Sequence, residues 1–319
     1  MGFLRDILKD LHYDAVIHVV THEHPDGDAI GSQVALTLYL RDLGWKAFAV
    51  RAEQISATYD YFTRDVPVRS PEAISDNDVN VFIALDCSTI ERIPEAMRSY
   101  KYLAIIDHHP EEEPWSVYRK IEVTASSTCE LLQDLLIEDD YKLNDYRINE
   151  ALYLGLLTDS GNFSHSNINR HTFKCAEDLV AAGVKPYRII QLVFNNKTPE
   201  QLKLQSLFLD HVQVFSDGAI AISILKPEDY VATHTCHSDT EGFVNQLLTL
   251  KNAKIAAFIE YNDEKVGCSL RSSDPSVAVN QVAIKHGGGG HVCAAACKID
   301  RNRFNLKEFV NDLDSLLKQ

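Results

Sequence analysis

The chain has 319 residues, of which 45% are apolar and 24% are charged. This composition excludes disordered, collagen-like and disulfide-scaffold proteins, and the length suits about two domains of ~100–200 residues each. The formal net charge of −15 also argues against a protein that grips long nucleic acid, because such binding needs clustered lysine and arginine.

The acidic charge is concentrated in the first part of the chain. Residues 1–193 contain 18 lysines and arginines against 31 aspartates and glutamates, whereas residues 194–319 contain 13 against 15. The excess is either a solvated acidic surface or, in part, a set of carboxylates gathered around a cation.

Strands and helices alternate in the first part. Apolar strands are predicted at 15–20, 79–85 and 102–106, with a helix over 29–43 after the first of them. This alternation favours an α/β fold with a largely parallel sheet and helices on both faces. Further helices are predicted over 127–136, 147–157, 171–182 and 186–194.

A break in the pattern follows at residues 195–199, where a turn precedes another helix that ends near residue 209. We place the domain junction there, which gives domains 1–194 and 211–319 joined by a linker helix over 195–210. The second domain is predicted to be smaller and α+β. Its expected strands are 211–215, 219–225, 253–261 and 265–270, and its expected helices are 275–285 and 305–317.

Cysteine usage and hydropathy bear on the cellular compartment. Seven cysteines form no CxxC pair, which predicts reduced thiols and a cytoplasmic protein. Cys293 and Cys297 flank a small apolar run, so we interpret them as buried strand residues rather than zinc ligands. No apolar run approaches the ~20 residues that span a bilayer, so we expect no membrane partner.

Four clusters of aspartate and histidine follow predicted strands or a buried helix. The first is HEHPDGD at 22–28, and the others are Asp86, the DHH run at 107–109, and Asp159. A single aspartate after a strand is usually a cap, but four such clusters at one sheet edge are hard to explain as caps. Carboxylate and imidazole together suit divalent transition metals, and two such ions would match the four carboxylates.

The order HxxxDxD, Asp, DHH, Asp resembles the DHH phosphoesterase superfamily. The run Gly287–Gly290 before His291, with Arg271 upstream, is similar to the associated DHHA1 domain, and the pair looks most like the bacterial nanoRNase and pAp phosphatase group. The resemblance implies a DHH domain linked to a smaller DHHA1 domain across a cleft. It also implies a phosphoester hydrolase with two divalent ions, Mn²⁺ foremost, that cleaves short RNA to mononucleotides and removes the 3′-phosphate of pAp.

Roles for individual residues follow from the same resemblance. One ion would be held by His22, Asp26 and Asp86, and the other by Asp28, Asp86, His108 and Asp159. Asp107 would orient the imidazoles. His109 would contact the scissile phosphate, and either His109 or water would protonate the leaving oxygen after an activated hydroxide attacks phosphorus, while His24 would be a bystander.

The second domain would hold the substrate. Bare backbone N–H groups approach a phosphate closely, and arginine offers it a bidentate fork. Arg271 would also neutralise charge that develops during attack. The residues expected to bind substrate are Arg271, Gly287, Gly288, Gly289, Gly290 and His291.

Other functions stay open at this point. Within the superfamily they are an inorganic pyrophosphatase, an exonuclease for longer substrates, and a phosphodiesterase for linear or cyclic dinucleotides such as pApA and cyclic di-AMP. A non-catalytic nucleotide-sensing module is a hypothesis from another class. We expect short RNA and pAp as partners rather than long nucleic acid, and a homodimer is left open.

Overall fold

The computed structural model describes residues 2–87, 89–110 and 113–318. The chain divides into two compact units, Met1–Asn196 and Lys197–Gln319, and each contains apolar clusters of its own. The helix that the sequence predicts over 195–210 is observed at Pro199–Asp210, within the second unit. Its role as a linker stays a prediction.

The first unit is built on a six-stranded sheet in which all neighbouring strands are parallel, in the order β3-β2-β1-β4-β5-β6. The strand order reverses between β1 and β4, so the connections leave these two strands in opposite directions, and it is at the carboxyl ends beside such a reversal that α/β sheets bind ligands. The α/β class is confirmed. The strands are β1 (Val16–Val20), β2 (Lys46–Val50), β3 (Val68–Arg69), β4 (Asn80–Leu85), β5 (Tyr102–Asp107) and β6 (Ser116–Ile121).

The α-helices cover one face of this sheet, and α2 is buried along most of its length, whereas the helices predicted for the other face are short 3-10 helices. Short 3-10 turns at Ile90–Arg92 and Glu95–Met97 contribute to the cover of the other face. The helices of this unit are α1 (Phe3–Leu8), α2 (Gly27–Asp42), α3 (Asp60–Thr63), α4 (Thr128–Glu138), α5 (Tyr146–Asp159), α6 (Arg170–Ala181) and α7 (Pro186–Val193).

Glycines let α2, α4 and α5 approach one another closely. A Cβ atom on Gly31 of α2 would lie 2.4 Å from the carbonyl oxygen of Ala151 in α5. A Cβ atom on Gly155 of α5 would lie 2.3 Å from both Asp28 Oδ1 and Cys129 Sγ. Since no real Cβ contact is this short, the two glycines are needed for the packing that fixes Asp28.

The second unit is the predicted smaller α+β domain. Its six-stranded sheet has the order β11-β12-β10-β9-β8-β7, in which β8 and β9 pair parallel and the other pairs are antiparallel. The strands are β7 (Gln213–Phe215), β8 (Ile220–Leu225), β9 (Ile255–Tyr261), β10 (Lys265–Ser272), β11 (Gly289–His291) and β12 (Ala294–Asp300). The helices are α8 (Pro199–Asp210), α9 (Pro227–Thr233), α10 (Phe243–Leu247), α11 (Val279–Lys285) and α12 (Leu306–Leu316).

The cysteines are unpaired throughout. Cys297 is a buried strand residue, as the sequence predicts, whereas Cys293 lies in the turn between β11 and β12 and is half-buried. Among the described residues, no helix combines the length and the apolar character needed to cross a membrane.

Candidate active site

The predicted acidic and histidine clusters lie at the carboxyl ends of β1, β4 and β5, which are adjacent in the sheet. His22 comes two residues after β1, Asp86 directly follows β4, and Asp107 ends β5. Loop and helix termini supply the others: Asp26 caps α2, Asp28 lies in its first turn, and Asp159 ends α5. The structure thus brings together the six residues expected to be metal ligands: His22, Asp26, Asp28, Asp86, His108 and Asp159.

Their ligand atoms form two groups that Asp86 connects. In one group, atoms of His22, Asp26 and Asp86 lie within 4.8 Å of one another, and in the other the same holds for Asp28, His108 and Asp159. The Asp86 carboxylate lies 3.5 Å from His22 Nε2 and 3.8 Å from His108 Nε2. This arrangement has the form of a two-ion site with a shared carboxylate.

Backbone carbonyl groups orient both histidines. His22 Nδ1 donates a hydrogen bond of 2.7 Å to the carbonyl oxygen of Glu23, and His108 Nδ1 donates one of 3.2 Å to that of Ala125. The Nε2 atoms of both rings are buried without a hydrogen-bond partner and face the carboxylates. A neutral imidazole whose Nδ1–H is engaged presents a lone pair at Nε2, so both side chains fit a divalent ion.

Asp28 is 1% exposed and lies against the N-terminus of α4. Its Oδ2 accepts a hydrogen bond of 2.6 Å from the N–H of Thr128, and its Oδ1 accepts one of 2.9 Å from the N–H of Cys129. Sequence analysis missed these two backbone donors. The run Ser126-Ser127-Thr128 before an apolar helix signals a capped helix start but does not reveal which carboxylate it meets.

The carboxylates repel one another because they are crowded and buried. Burial, and then the charges of Asp86 and Asp26, raise the pKa of Asp28 well above its usual range. Burial, and then the charges of Asp28, Asp26 and Asp86, do the same to the pKa of Asp159. Divalent cations among these oxygens would remove that repulsion, so the donor set and its charge both fit metal ions.

The pKa of Asp86 shifts in the opposite direction to those of Asp28 and Asp159. Burial favours the neutral form, but the neighbouring imidazoles of His109 and His22 outweigh it and hold the pKa of Asp86 well below its usual range. Its Oδ1 also accepts a hydrogen bond of 3.1 Å from the hydroxyl of Thr128. The backbone of Asp86 has a φ of 54°, in the left-handed region that aspartate and asparagine tolerate.

Asp107 orients His109. The fully buried Asp107 accepts hydrogen bonds at Oδ1 from the His109 N–H, at 3.0 Å, and from His109 Nδ1, at 2.7 Å. Burial would lower the pKa of His109, but the hydrogen bonds with Asp107 and Asp86 outweigh it and raise the pKa to about 11. A protonated His109 carries a hydrogen on Nε2 and has the chemistry of a general acid.

His24 takes no part in these groups. Its side chain is 76% exposed, and its Nδ1 lies 3.1 Å from Glu53 Oε1. This placement agrees with the expected bystander role.

The residues expected to bind substrate lie on β10, on β11 and just before β11 in the second sheet. Arg271 of β10 is paired with Ala294 of β12, and Ala294 is paired with His291 of β11, so the three positions form a row across the strands. The side chain of His291 lies outside the described part of the structure. Arg271 Nη1 donates a hydrogen bond of 2.9 Å to the carbonyl oxygen of Leu270.

The four glycines differ in what the fold demands of them. A Cβ atom on Gly288 would lie 2.0 Å from the carbonyl oxygen of Ala296, and one on Gly290 would lie 2.6 Å from that of Ala294. Gly287 has a φ of 78°, which disfavours a side chain. A Cβ atom on Gly289 would meet no atom within 4 Å. Packing therefore accounts for Gly288 and Gly290 and backbone conformation accounts for Gly287, but neither accounts for Gly289.

Two family models match the chain. The model described as the DHH family, N-terminal domain, matches residues 16–157, and the model of the DHHA1 domain matches residues 230–319. Each match lies within one of the two units, and together they cover most of the chain.

Proteins similar in sequence and in structure agree with these matches. The chain is 28% identical over 313 residues to the bifunctional oligoribonuclease and PAP phosphatase NrnA of Bacillus subtilis, with 96% of each chain covered. It is also 28% identical over 307 residues to the protein of that name from Thermus thermophilus, with 94% of this chain and 88% of the other covered. An exopolyphosphatase-related protein from Bacteroides fragilis shares the fold, with a TM-score of 0.86, 24% identity, and 99% of this chain and 94% of the other covered. The chain therefore belongs to the DHH and DHHA1 phosphoesterase superfamily and is a hydrolase acting on phosphoester bonds.

Proposed function

We propose that the protein is a manganese-dependent phosphohydrolase that cleaves short oligoribonucleotides to mononucleotides and removes the 3′-phosphate of pAp. The observation that carries this proposal is the pair of ligand groups joined by Asp86, in which two buried imidazole nitrogens without partners face four carboxylates. The names of the Bacillus subtilis and Thermus thermophilus relatives support the choice of substrates.

The donor set supports manganese as the ion. His22, Asp26 and Asp86 would hold one ion, and Asp28, Asp86, His108 and Asp159 would hold the other. Carboxylates suit magnesium and manganese, and the addition of imidazole moves the preference towards manganese. When bound, two such ions supply a water of lowered pKa and stabilise negative charge on the transferred phosphoryl group.

The remaining residues have separate tasks in the proposed reaction. Asp107 holds His109 protonated and aligned, and His109 donates its Nε2 proton to the leaving oxygen. Arg271 binds and neutralises a phosphate of the substrate, and the backbone at Gly289 accepts close approach of the ligand. The acidic first unit disfavours long nucleic acid, since phosphates beyond the reach of the ions meet negative charge.

The test is a substrate panel with the purified full chain. With Mn²⁺ present, we expect hydrolysis of pAp, pApA and an RNA 5-mer, and little or none of an RNA 24-mer or pyrophosphate. Chelation should abolish turnover, and Mn²⁺ should restore it better than Mg²⁺. Preferential cleavage of cyclic di-AMP, or binding of these nucleotides without hydrolysis of any of them, would overturn the proposal.

A matched pair of variants ties the activity to the site. Asp86→Asn should abolish turnover because it removes the shared carboxylate, and asparagine tolerates the left-handed backbone at this position. Asp76→Asn removes one negative charge at an exposed position and should leave kcat and KM unchanged. If Asp86→Asn kept manganese-dependent hydrolysis near the wild-type rate, the assignment of the site would fail.

A further inference from the structure

A second group of metal-ligating side chains lies outside the candidate active site. It consists of Asp134 on α4 and of His171 and Cys175 on α6, whose ligand atoms lie within 4.8 Å of one another. Because His171 and Cys175 are four residues apart on one helix, they project from the same face. Asp134 reaches them from the neighbouring helix.

We propose that Asp134, His171 and Cys175 bind a thiophilic divalent transition-metal ion, foremost Zn²⁺, with water in the fourth position. Such a site differs in chemistry from the candidate active site, whose expected ligands are oxygen and nitrogen atoms only.

The nitrogen-to-sulfur distance suits this ion, whereas the nitrogen-to-oxygen distance is that of an ion pair, which the bound ion would open to about 3.3 Å. His171 Nε2 lies 2.8 Å from Asp134 Oδ2 and 3.6 Å from Cys175 Sγ. Tetrahedral Zn²⁺ with bonds of about 2.0 Å to nitrogen and about 2.3 Å to sulfur places those two ligand atoms ~3.5 Å apart. An ion pair alone would explain why Asp134 and His171 lie close together. The Cys175 sulfur also lies beside His171 Nε2, so all three ligand atoms could bind one ion.

The site is both held in place and reachable. Gln133 on α4 donates a hydrogen bond of 3.1 Å to the carbonyl oxygen of Cys175, which ties the two helices together beside the cluster. Cys175 is 2% exposed, whereas the His171 side chain is 50% exposed and that of Asp134 is 39% exposed. An ion can therefore enter from solvent and retain one water ligand, while the buried Cys175 provides the sulfur ligand from the protein side.

Protonation has to change when the ion binds. The hydrogen bond to Asp134 raises the pKa of His171, and burial raises the pKa of the Cys175 thiol. On binding, the Cys175 S–H bond breaks and its proton goes to solvent, and His171 gives up the hydrogen on Nε2. The expected reaction is one Zn²⁺ taken up and up to two protons released.

An ion bound at this cluster would stabilise elements that position the candidate active site. The N-terminus of α4 holds Asp28 through the N–H groups of Thr128 and Cys129. Just before α6, Asn167 donates hydrogen bonds to the carbonyl oxygens of Ser126 and Asp159. An ion that joins α4 to α6 would thus brace two elements that position candidate active-site carboxylates.

Cobalt spectroscopy on the full chain tests the proposal. Co²⁺ should bind with a thiolate-to-cobalt charge-transfer band in the near ultraviolet and with tetrahedral d–d absorption, and Zn²⁺ should displace it. The Asp86→Asn variant should keep the band, because the active-site ligands contribute no sulfur. Failure of the proposed phosphohydrolase activity would leave this result unchanged, so the two proposals are tested separately.

Three further variants identify the ligands. Cys175→Ser should lose the band, and His171→Ala, at a half-exposed position that tolerates truncation, should weaken Co²⁺ binding at this site about 100-fold or more. Cys236→Ser, at an exposed cysteine, should leave the band intact. The proposal is overturned if wild type shows no thiolate band, if His171→Ala binds as tightly as wild type, or if Cys236→Ser removes the band.

Discussion

His109 shows how a single carboxylate sets the chemistry of its neighbour. Asp107 accepts both the backbone and the ring hydrogen of His109, and with Asp86 it raises the pKa of the imidazole. We therefore expect His109→Asn to lower kcat by about 10²–10⁴-fold, the usual contribution of a general acid, with Mn²⁺ binding retained. The exposed His24 provides the control, and His24→Asn should keep wild-type kinetics. A wild-type kcat for His109→Asn would contradict the role.

Asp159 illustrates the cost of crowding carboxylates before cations arrive. Its pKa in the folded chain is raised, so the metal-free fold is destabilised at pH values above that raised pKa and relieved as pH falls towards the usual aspartate range. In chelator at pH 8, Asp159→Asn should therefore raise Tm by about 2–4 °C for each kcal/mol relieved. The gain should shrink at pH 5.

The same variant should respond weakly to manganese. Mn²⁺ should raise the Tm of the wild-type chain, because it binds the folded state, and should raise that of Asp159→Asn much less. A chelated Asp159→Asn protein that melts below wild type would show that repulsion at this position is not a net cost.

At the scale of elements, two adjacent glycines at strand β11 allow packing and substrate binding to be tested separately. Gly288 is needed for packing, whereas Gly289 is expected to contact the substrate. Gly289→Ala meets no atom, so its Tm should equal that of wild type, while its KM for a short RNA should rise severalfold because the methyl group blocks the bare backbone. Gly288→Ala places a methyl group against the backbone of β12 and should lower Tm. Equal KM values for Gly289→Ala and wild type would remove Gly289 from the substrate site.

Continuous apolar runs made part of the fold predictable. The strands β1, β4 and β5 are such runs, and they lie within about a residue of the predicted bounds. Strand β6 is not predicted because its sequence, SVYRKI, contains no apolar run. It lies at the edge of the sheet, where its residues alternate between half-buried and exposed along most of the strand. Strands β11 and β12 were missed because glycine and alanine have little intrinsic strand preference, so their pairing depends on tertiary contacts.

The candidate site divides in the same way. Strand-end geometry predicts that His22, Asp86 and the residues at 107–109 converge, because parallel strands end at one edge. The contact of Asp28 with the start of α4 joins positions a hundred residues apart, and no local pattern encodes it. The close approach at Gly155 is equally invisible in the sequence, because an isolated glycine within a helical pattern shows no sign of what packs against it.

At the scale of the whole molecule, the excess negative charge and the expected metal ligands lie in the same unit. All six expected ligands and most of the excess acidity belong to Met1–Asn196, whereas Lys197–Gln319 is close to neutral. Both tryptophans, Trp45 and Trp115, also lie in the first unit, so tryptophan fluorescence reports on that unit alone. The effect of the active-site ions on stability can therefore be assigned to one unit within the intact chain.

We expect manganese to stabilise the first unit selectively, because a ligand that binds only the folded state of one unit raises the stability of that unit by mass action. In thermal melts of the full chain, Mn²⁺ should raise the midpoint followed by tryptophan fluorescence. Far-ultraviolet circular dichroism reports on both units and should resolve two unfolding transitions in Mn²⁺. Compared with the melt in chelator, only the transition at higher temperature should have a changed midpoint. Asp86→Asn is the control and should abolish the shift. Equal displacement of both transitions by Mn²⁺ would contradict an action confined to the first unit.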